Sequence, residues 1–224
     1  MKGSHNGRFP AKAILFDLDG TLIDSVPDLT AAVNFTLAQL GRPPKSPNQV
    51  AVHVGNGVRV LLERVIGNPE GTRETVLDKA QKFFEEYYRE HCLDQTSVYP
   101  GVKETLAHFH SKPMAVVTNK PEEFSRKILE GLGLDSPFKV ILGGDSLPVR
   151  KPRPEPLWEA ARRLEVAPAE AIVVGDSAID IQAGKAAGMM TCGVSYGLTK
   201  KENLELEKPD RLIDRFSELK DIVQ

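Results

Sequence analysis

The amino-acid sequence predicts an α/β fold in which a doubly wound parallel sheet carries an inserted, all-helical segment. In most of the chain, short apolar runs alternate with segments of helical spacing, which is typical of such sheets. The stretch from about residue 25 to residue 97 instead has helical spacing and no convincing strand. We therefore expect residues 11–24 and 98–224 to form the sheet domain, and residues 25–97 to form a helical cap domain.

Four apolar runs are the predicted strands. Each is short, contains β-branched residues and ends at a polar residue or a glycine, which favours a buried parallel strand over a buried helix. Ligands of such sheets bind beyond the carboxyl ends of the strands, so the polar residues that follow the runs mark the expected functional edge. The runs cover residues 11–17, 114–119, 140–143 and 171–176.

The cap region shows two helical stripes of apolar residues, and turn signals separate its helices. Pro43-Pro44 and the turn Gly67-Asn68-Pro69 are the predicted boundaries. The charged run at residues 85–90 is interpreted as the exposed face of a cap helix. The polar, glycine-bearing opening at residues 1–8 predicts a flexible tail. The two stripes contain Leu29, Val33, Leu37 and Leu40, and then Val58, Leu61, Leu62 and Val65.

Composition excludes several classes of function. The 29 basic and 31 acidic residues are interspersed and give a net charge of -2, so nucleic acid is not an expected partner. Cys92 and Cys192 lie far apart and outside any CxxC spacing, which predicts free thiols and a cytoplasmic protein. No stretch is apolar for the roughly 18 residues of a membrane span, and no export signal is visible. We expect a monomer or homodimer that acts on a small molecule.

The first polar motif, Asp17-Leu18-Asp19-Gly20-Thr21, directly follows the first predicted strand. In an extended backbone, alternation places Asp17 and Asp19 on the same side. Two close carboxylates repel each other unless a cation lies between them, and Mg²⁺ prefers such oxygen ligands. This motif therefore predicts a Mg²⁺ site.

Three further motifs follow the other predicted strands or lie in the loops after them. Thr118 and Asn119 offer a hydroxyl and an amide that can hold phosphoryl oxygens, and Lys151 offers a positive charge. Asp176 and Asp180, four residues apart, can complete or support the metal site. Together these groups predict phosphoryl transfer, in which an aspartate can act as the covalent acceptor.

These four motifs, in this order, resemble the haloacid dehalogenase superfamily, whose pattern is DxDGT, a Ser or Thr, a Lys and a late GDxxxD. The resemblance covers nearly the whole chain from Ala11 onward and implies a Rossmann-like core with a helical cap. It also implies that Asp17 is the nucleophile and that Asp19 is the general acid and base. Dehalogenases lack the second aspartate of the first motif and ion pumps carry threonine there, so Asp19 indicates a phosphatase or phosphomutase.

For the remaining motif residues, the resemblance implies a metal site and a phosphate site. Mg²⁺ is expected on the carboxylates of Asp17 and Asp176 and on the backbone carbonyl of Asp19, with Asp180 in support. The phosphoryl group is expected to contact Thr118, Asn119 and Lys151.

Several further segments resemble bacterial phosphoglycolate phosphatases in particular. These segments are residues 22–25, 54–57, 117–121 and 151–154. Hydrolysis of 2-phosphoglycolate to glycolate and phosphate, through an aspartyl phosphate, is therefore the expected reaction. A cap loop with two glycines can approach a small ligand closely. The predicted substrate contacts outside the four motifs are Gly55, Asn56, Gly57, Arg59 and Lys120.

Alternatives remain open at this point. Another reaction of the same superfamily is possible, namely that of a sugar-phosphate phosphatase, a pyrophosphatase or a β-phosphoglucomutase, although Gly57-Val58-Arg59 departs from the mutase cap pattern. A protein of a different class, a regulatory or binding subunit without catalysis, is the third alternative. Within the cap, the glycines could form only a turn, and Arg59 could be a solvated helix residue.

Overall fold

A computed structural model describes residues 7–67 and 73–224. A parallel sheet forms its centre, and a two-stranded antiparallel pair lies beside it. In chain order the strands are β1 (Ala13–Phe16), β2 (Ile23–Asp24), β3 (Ser97–Val98), β4 (Met114–Val117), β5 (Phe138–Leu142), β6 (Ala171–Gly175), β7 (Met190–Val194) and β8 (Arg211–Ile213).

The large sheet has six strands within the described ranges, in the order β5-β4-β1-β6-β7-β8, and every neighbouring pair is parallel. Phe16 in the central strand β1 is in register with Val116 on one side and with Val174 on the other. The predicted α/β class with a parallel sheet is confirmed. The four apolar runs coincide with β1, β4, β5 and β6, whereas β7 and β8 were not predicted.

The helices lie between these strands and after the last of them. In chain order they are α1 (Val26–Gln39), α2 (Pro47–Ala51), α3 (Val58–Ile66), α4 (Arg73–His91), α5 (Val102–His108), α6 (Glu122–Gly131), α7 (Glu155–Arg163), α8 (Ala178–Ala187), α9 (Lys201–Leu206) and α10 (Leu219–Ile222).

Both faces of the sheet are buried, as the alternation along β1 shows. Ile14 and Phe16 belong to one apolar cluster, whereas Ala13 and Leu15 belong to a second. Successive side chains of a strand point to opposite faces, so the two clusters are the layers above and below the sheet. Burying a large apolar side chain of this kind stabilises the fold by about 1.5–3 kcal/mol. The sheet is therefore a firm base for the loops at its carboxyl edge.

Helices α1 to α4 all lie between β2 and β3 in the chain. These two strands pair antiparallel, with Ile23 opposite Val98, so the entry and exit of the helical segment meet. Asp28 in α1 is fully buried and accepts hydrogen bonds of 2.7–3.1 Å from the backbone of Gln95 and from the backbone and hydroxyl of Thr96. This arrangement is consistent with a helical insertion, while the division into two domains stays a prediction.

Three predicted loops or termini can be compared with the described ranges. Pro43-Pro44 lies between α1 and α2 as expected. Gly67 ends α3 with φ 69°, but Asn68 and Pro69 of the predicted turn lie outside the described residues, as do residues 1–6 of the predicted tail. Among the described residues, no helix has the length and apolar character that a membrane crossing requires.

Candidate active site

Polar residues meet at the carboxyl edge of the central strands. Asp17 follows β1, Thr118 follows β4 and Asp176 follows β6, and these three strands are neighbours in the sheet. The parallel sheet thus gathers side chains that are more than 150 residues apart in the sequence. All three side chains are buried, although they are polar.

Asp17 is a buried carboxylate close to one ammonium group and to other carboxylates. It is 7% exposed, and its Oδ1 lies 3.0 Å from Lys151 Nζ. This is an ion-pair contact without hydrogen-bond alignment, and no described residue donates a hydrogen bond to Oδ1. Burial raises the pKa of Asp17 to about 6; the charge of Lys151 opposes the rise, and Asp180 and Asp19 add to it. A buried carboxylate whose pKa is raised in this way is a candidate nucleophile or metal ligand.

Asp180 holds Lys151 in place. Its Oδ1 accepts a hydrogen bond of 2.6 Å from Lys151 Nζ, and its Oδ2 accepts hydrogen bonds from the Ser177 backbone (3.1 Å) and hydroxyl (2.6 Å) at the start of α8. Both carboxylate oxygens are therefore occupied. Burial alone lowers the pKa of Lys151, but the negative charges of Asp17 and Asp180 raise it above the ordinary value. Lys151 consequently stays protonated.

Asp176 is packed against two glycine-containing turns. Its Oδ2 accepts a 2.7 Å hydrogen bond from the Leu198 backbone, and its Oδ1 accepts one of 3.3 Å from the Thr21 hydroxyl. A Cβ atom on Gly20 or on Gly197 would lie 2.4 or 2.3 Å from the Asp176 side chain, so only glycine fits at either position. Burial, Asp180 and Asp17 raise the pKa of Asp176 well above its ordinary value.

The three acidic groups can hold a metal ion. One carboxylate oxygen each of Asp17, Asp176 and Asp180 lies within 4.8 Å of the others, and all three residues are buried. Lys151 balances part of this charge, while Asp17 Oδ1 remains without a hydrogen bond from a described residue. Buried like charges of this kind are costly without a cation, and an all-oxygen set suits a hard divalent ion. The residues therefore fit the predicted metal.

Asp19 lies in a second network that reaches α1 and α4. Its Oδ1 accepts hydrogen bonds from the Ser25 hydroxyl (2.5 Å) and from Lys120 Nζ (3.0 Å). Lys120 Nζ also donates a 2.9 Å hydrogen bond to the Tyr88 hydroxyl. Burial alone lowers the pKa of Lys120, but Asp19 and Tyr88 raise it. Both donors to Asp19 are thus held from fixed elements, Ser25 at the start of α1 and Lys120 after β4.

The interpretation of residues 85–90 as an exposed face is wrong at Tyr88, which is 1% exposed. Ala80, Phe84 and Tyr88 are buried and recur every four residues, so they form the apolar face of α4. This four-residue spacing is the signal in the sequence that identifies Tyr88 as buried. The charged residues next to Tyr88 hid the pattern.

Thr118 and Asn119 occupy the edge between the two networks. The Thr118 hydroxyl accepts a 3.3 Å hydrogen bond from the Lys120 backbone. The Asn119 amide nitrogen donates to the backbone carbonyls of Gly55 and Lys151, both at 2.9 Å, whereas no described residue contacts its buried Oδ1. Asn119 thus connects the loop between α2 and α3 to the lysine that faces Asp17.

Two cavities open beside Asp17 and Asp19, and both are also lined by Val54 and Gly55. The first measures about 30 Å³ and is otherwise lined mainly by apolar residues of α1 and α3 together with Thr118, Asn119 and Lys120. The second measures about 220 Å³ and continues past Asp176 to residues 198–200 and Asn203. The sequence analysis missed residues 198–203, whose only signal is that they follow the unpredicted strand β7 at the same sheet edge.

The predicted substrate contacts at residues 55–59 fall into two groups in the structure, those that line a cavity beside Asp17 and those that do not. Gly55 and Gly57 line the first cavity, with φ values of 100° and 86°. Within the described ranges, neither Asn56 nor Arg59 lines the two cavities beside Asp17. Arg59 instead makes 2.8 Å ion pairs with Glu74 and Asp78. This placement favours the alternative of a solvated helix residue, and a substrate contact of Asn56 or Arg59 stays a prediction.

Comparison with known proteins gives a consistent result. A family model described as haloacid dehalogenase-like hydrolase matches residues 14–194. The phosphoglycolate phosphatase of Chromobacterium violaceum is 38% identical over 217 residues, which cover 95% of this chain and 96% of that relative. Phosphoglycolate phosphatase 1 of Pseudomonas aeruginosa is 41% identical over 214 residues, which cover 93% of this chain and 78% of the relative.

Solved structures show the same fold. The crystal structure of a predicted phosphoglycolate phosphatase from Haemophilus somnus 129PT superimposes with a TM-score of 0.89 at 36% identity, over 96% of this chain and 98% of that one. A second crystal structure, that of a putative phosphoglycolate phosphatase from Lactobacillus delbrueckii, superimposes with a TM-score of 0.85 at 28% identity, over 92% and 95% of the two chains.

Proposed function

This chain belongs to the haloacid dehalogenase-like hydrolases, and from that premise we propose that it is a Mg²⁺-dependent phosphatase that hydrolyses 2-phosphoglycolate through an aspartyl phosphate. The observation that carries the proposal is the buried carboxylate of Asp17, which faces Lys151 and two further carboxylates at the sheet edge. A binding module has no use for such a costly arrangement, so the site supports an enzyme over a subunit without catalysis.

In the first half of the reaction, an oxygen of Asp17 attacks the phosphorus atom of the ester. The bond between phosphorus and the ester oxygen breaks, and the leaving alkoxide takes a proton from the carboxyl group of Asp19. Lys151 and the Thr118 hydroxyl offset the charge on the phosphoryl oxygens. The Asn119 amide donates two hydrogen bonds of 2.9 Å that fix the backbone of Lys151 and of Gly55, and its contact with the phosphoryl group stays a prediction.

In the second half, Asp19 accepts a proton from a water molecule as the water attacks the aspartyl phosphate. Phosphate leaves, the carboxylate of Asp17 is restored, and Asp19 is again protonated for the next cycle. The geometry suits Asp19 to both proton transfers, because Ser25 and Lys120 hold its carboxylate beside Asp17 at the wall of both cavities.

The predicted metal ligands are the carboxylates of Asp17 and Asp176 and the backbone carbonyl of Asp19. When bound, Mg²⁺ supplies positive charge that offsets the repulsion between the Asp17 carboxylate and the phosphoryl group. Asp180 supports the site indirectly, since both of its oxygens are already taken by Lys151 and Ser177.

The choice of 2-phosphoglycolate rests on the relatives, two of which carry the name phosphoglycolate phosphatase at 38% and 41% identity. The second cavity beside Asp17, at about 220 Å³, has space for a short leaving group. A cytoplasmic location is proposed on the buried, unpaired thiols of Cys92 and Cys192. A monomer or homodimer stays a prediction.

The test is a phosphate-release screen of the full chain against 2-phosphoglycolate, sugar phosphates, nucleotides and pyrophosphate, with Mg²⁺ and with EDTA. We expect 2-phosphoglycolate to give the highest kcat/KM and EDTA to abolish turnover. Asp17→Asn should remove activity, whereas Asp221→Asn, at an exposed carboxylate, should retain it. A second readout is acid-quenched protein that carries labelled phosphate in an alkali-labile bond. Turnover by Asp17→Asn would refute the mechanism.

A further inference from the structure

Lys120 and Lys200 are the two ammonium groups that line the cavities beside Asp17, within the ranges the structure describes. They differ in what they contact. Lys120 is 6% exposed, and its Nζ contacts both carboxylate oxygens of Asp19, at 3.0 and 3.2 Å, and the Tyr88 hydroxyl at 2.9 Å. An ammonium group has three protons to donate, and Asp19 and Tyr88 engage them. Lys120 therefore has little left to offer a substrate carboxylate.

Lys200 is exposed, and among the described residues no carboxylate pairs with it. The loop that carries it is nevertheless fixed on both sides. On one side the Leu198 backbone donates a 2.7 Å hydrogen bond to Asp176, and on the other Lys201 forms a 2.7 Å ion pair with Asp214. Lys200 is thus a free cation presented from an anchored loop at the wall of the larger cavity.

Charge balance gives this free cation a role. Before substrate arrives, the edge holds three carboxylates of the DxD and GDxxxD motifs, the protonated Asp19 of the proposed mechanism, two buried ammonium groups and a proposed divalent metal ion. Their net charge is about +1, which a phosphoryl group with a charge of about -2 more than offsets. A phosphate ester whose leaving group carries a carboxylate brings further negative charge. The buried lysines already have carboxylate partners, so the additional carboxylate needs another cation.

Cavity size decides where that carboxylate can go. A cavity measured in this way needs roughly 10–15 Å³ to hold one water molecule, so the first cavity, at about 30 Å³, has space for two or three water-sized groups. Glycolate has five non-hydrogen atoms. The second cavity, at about 220 Å³, has the room, and Asn203 adds an amide donor to its wall beside Lys200.

We infer that Lys200, assisted by Asn203, binds the carboxylate of the leaving group and so selects phosphate monoesters of short hydroxy acids. This inference rests on the proposed function and assigns its substrate specificity to the loop after β7 in the sheet domain, in addition to the cap. Lys200 contacts the substrate and not the reacting atoms, so its removal affects the acidic substrate and spares a neutral one.

The experiment compares 2-phosphoglycolate with its amide, which has the same shape and lacks the carboxylate charge, using the full chain with Mg²⁺. We expect Lys200→Gln to lower kcat/KM about tenfold for 2-phosphoglycolate, mainly through KM, and less than about twofold for the amide. Asn203→Ala should lower it about threefold for the acid alone. Lys139→Gln is the matched control, because Lys139 is an exposed lysine that lines neither cavity, and it should leave kcat/KM for both substrates unchanged.

The outcomes separate the inference from the proposed function. An equal loss on both substrates in Lys200→Gln would show general attraction of the phosphate and would overturn the inference. Retention of the full preference for the acid in that variant would overturn it as well. Wild-type protein that releases phosphate from neither ester contradicts the proposed function, and the inference falls with it.

Discussion

Replacing the buried carboxylate of Asp17 by an amide should stabilise the metal-free protein. Burial raises the pKa of this group from 3.8 to about 6 against the opposing charge of Lys151, and Asp180 and Asp19 act in the same direction as burial. A rise of about two pKa units corresponds to about 3 kcal/mol. Asp17→Asn keeps the shape and removes the charge, so in EDTA at about pH 8 we expect the free energy of unfolding to increase by up to about 3 kcal/mol.

The pH dependence has a defined sign. Because the pKa of Asp17 is higher in the folded than in the unfolded protein, the folded state binds this proton more tightly. As the pH falls from above 6 towards 3.8, the wild type gains stability relative to the variant, and the difference between the two proteins closes. Urea unfolding in EDTA, at about pH 8 and about pH 5, measures both differences.

Two comparisons make this test decisive. Asp221→Asn removes an exposed carboxylate and should change the free energy of unfolding by no more than about 0.5 kcal/mol at either pH. Added Mg²⁺ should stabilise the wild type more than Asp17→Asn, which reverses their order if the ion binds Asp17. If the variant is no more stable than the wild type at about pH 8 in EDTA, or if the difference is the same at both pH values, the electrostatic reasoning is wrong.

Three further predictions concern groups around the site. Tyr88→Phe removes the hydroxyl that accepts a hydrogen bond from Lys120, the lysine that contacts the proposed general acid Asp19, so kcat should fall about fivefold with KM within about twofold in steady-state kinetics; Tyr87→Phe is the neighbouring control. Gly197→Ala places a Cβ 2.3 Å from Asp176, and Mg²⁺ affinity measured by calorimetry should fall at least about tenfold. Asp28→Ala leaves buried donors after α4 unpaired, and urea unfolding should show a loss of about 2–4 kcal/mol.

Much of the fold could be predicted from the sequence because the spacing of the apolar residues and the residue types indicate the same secondary structure. The apolar runs at β1, β4, β5 and β6 are buried on both faces, and such strands read as continuous apolar segments. Strand β7, with Thr191, Cys192 and Gly193 at its centre, lacks that character, and β8 has three residues. These strands are held by pairing with their neighbours, a contact that no local pattern records.

In the site, too, some residues could be placed from the sequence and others could not. Motif residues next to the central strands could be placed because parallel strands end at one edge, which fixes Asp17, Thr118 and Asp176 without knowledge of any loop. The partners of those residues could not be placed in this way. Tyr88 reaches Lys120 across 32 residues through the packing of α4, and the position of Lys200 depends on the strand that the sequence analysis missed.

The lysines of the site differ in whether a carboxylate already pairs with them before substrate binds. This difference explains why these partners matter for function. Lys151 and Lys120 are each buried against a carboxylate, so their pKa values are raised and their charges are committed before substrate binds. These paired charges can orient Asp17 and Asp19, but they discriminate poorly among substrates, since the proposed contact of Lys151 is with the phosphoryl group that all phosphate esters share and Lys120 is engaged by Asp19 and Tyr88. Discrimination requires a donor that remains unpaired until the leaving group arrives, and such a donor has to stay in contact with solvent to avoid the cost of burial. An exposed loop anchored beside the site satisfies both conditions, and no residue inside the buried motifs can.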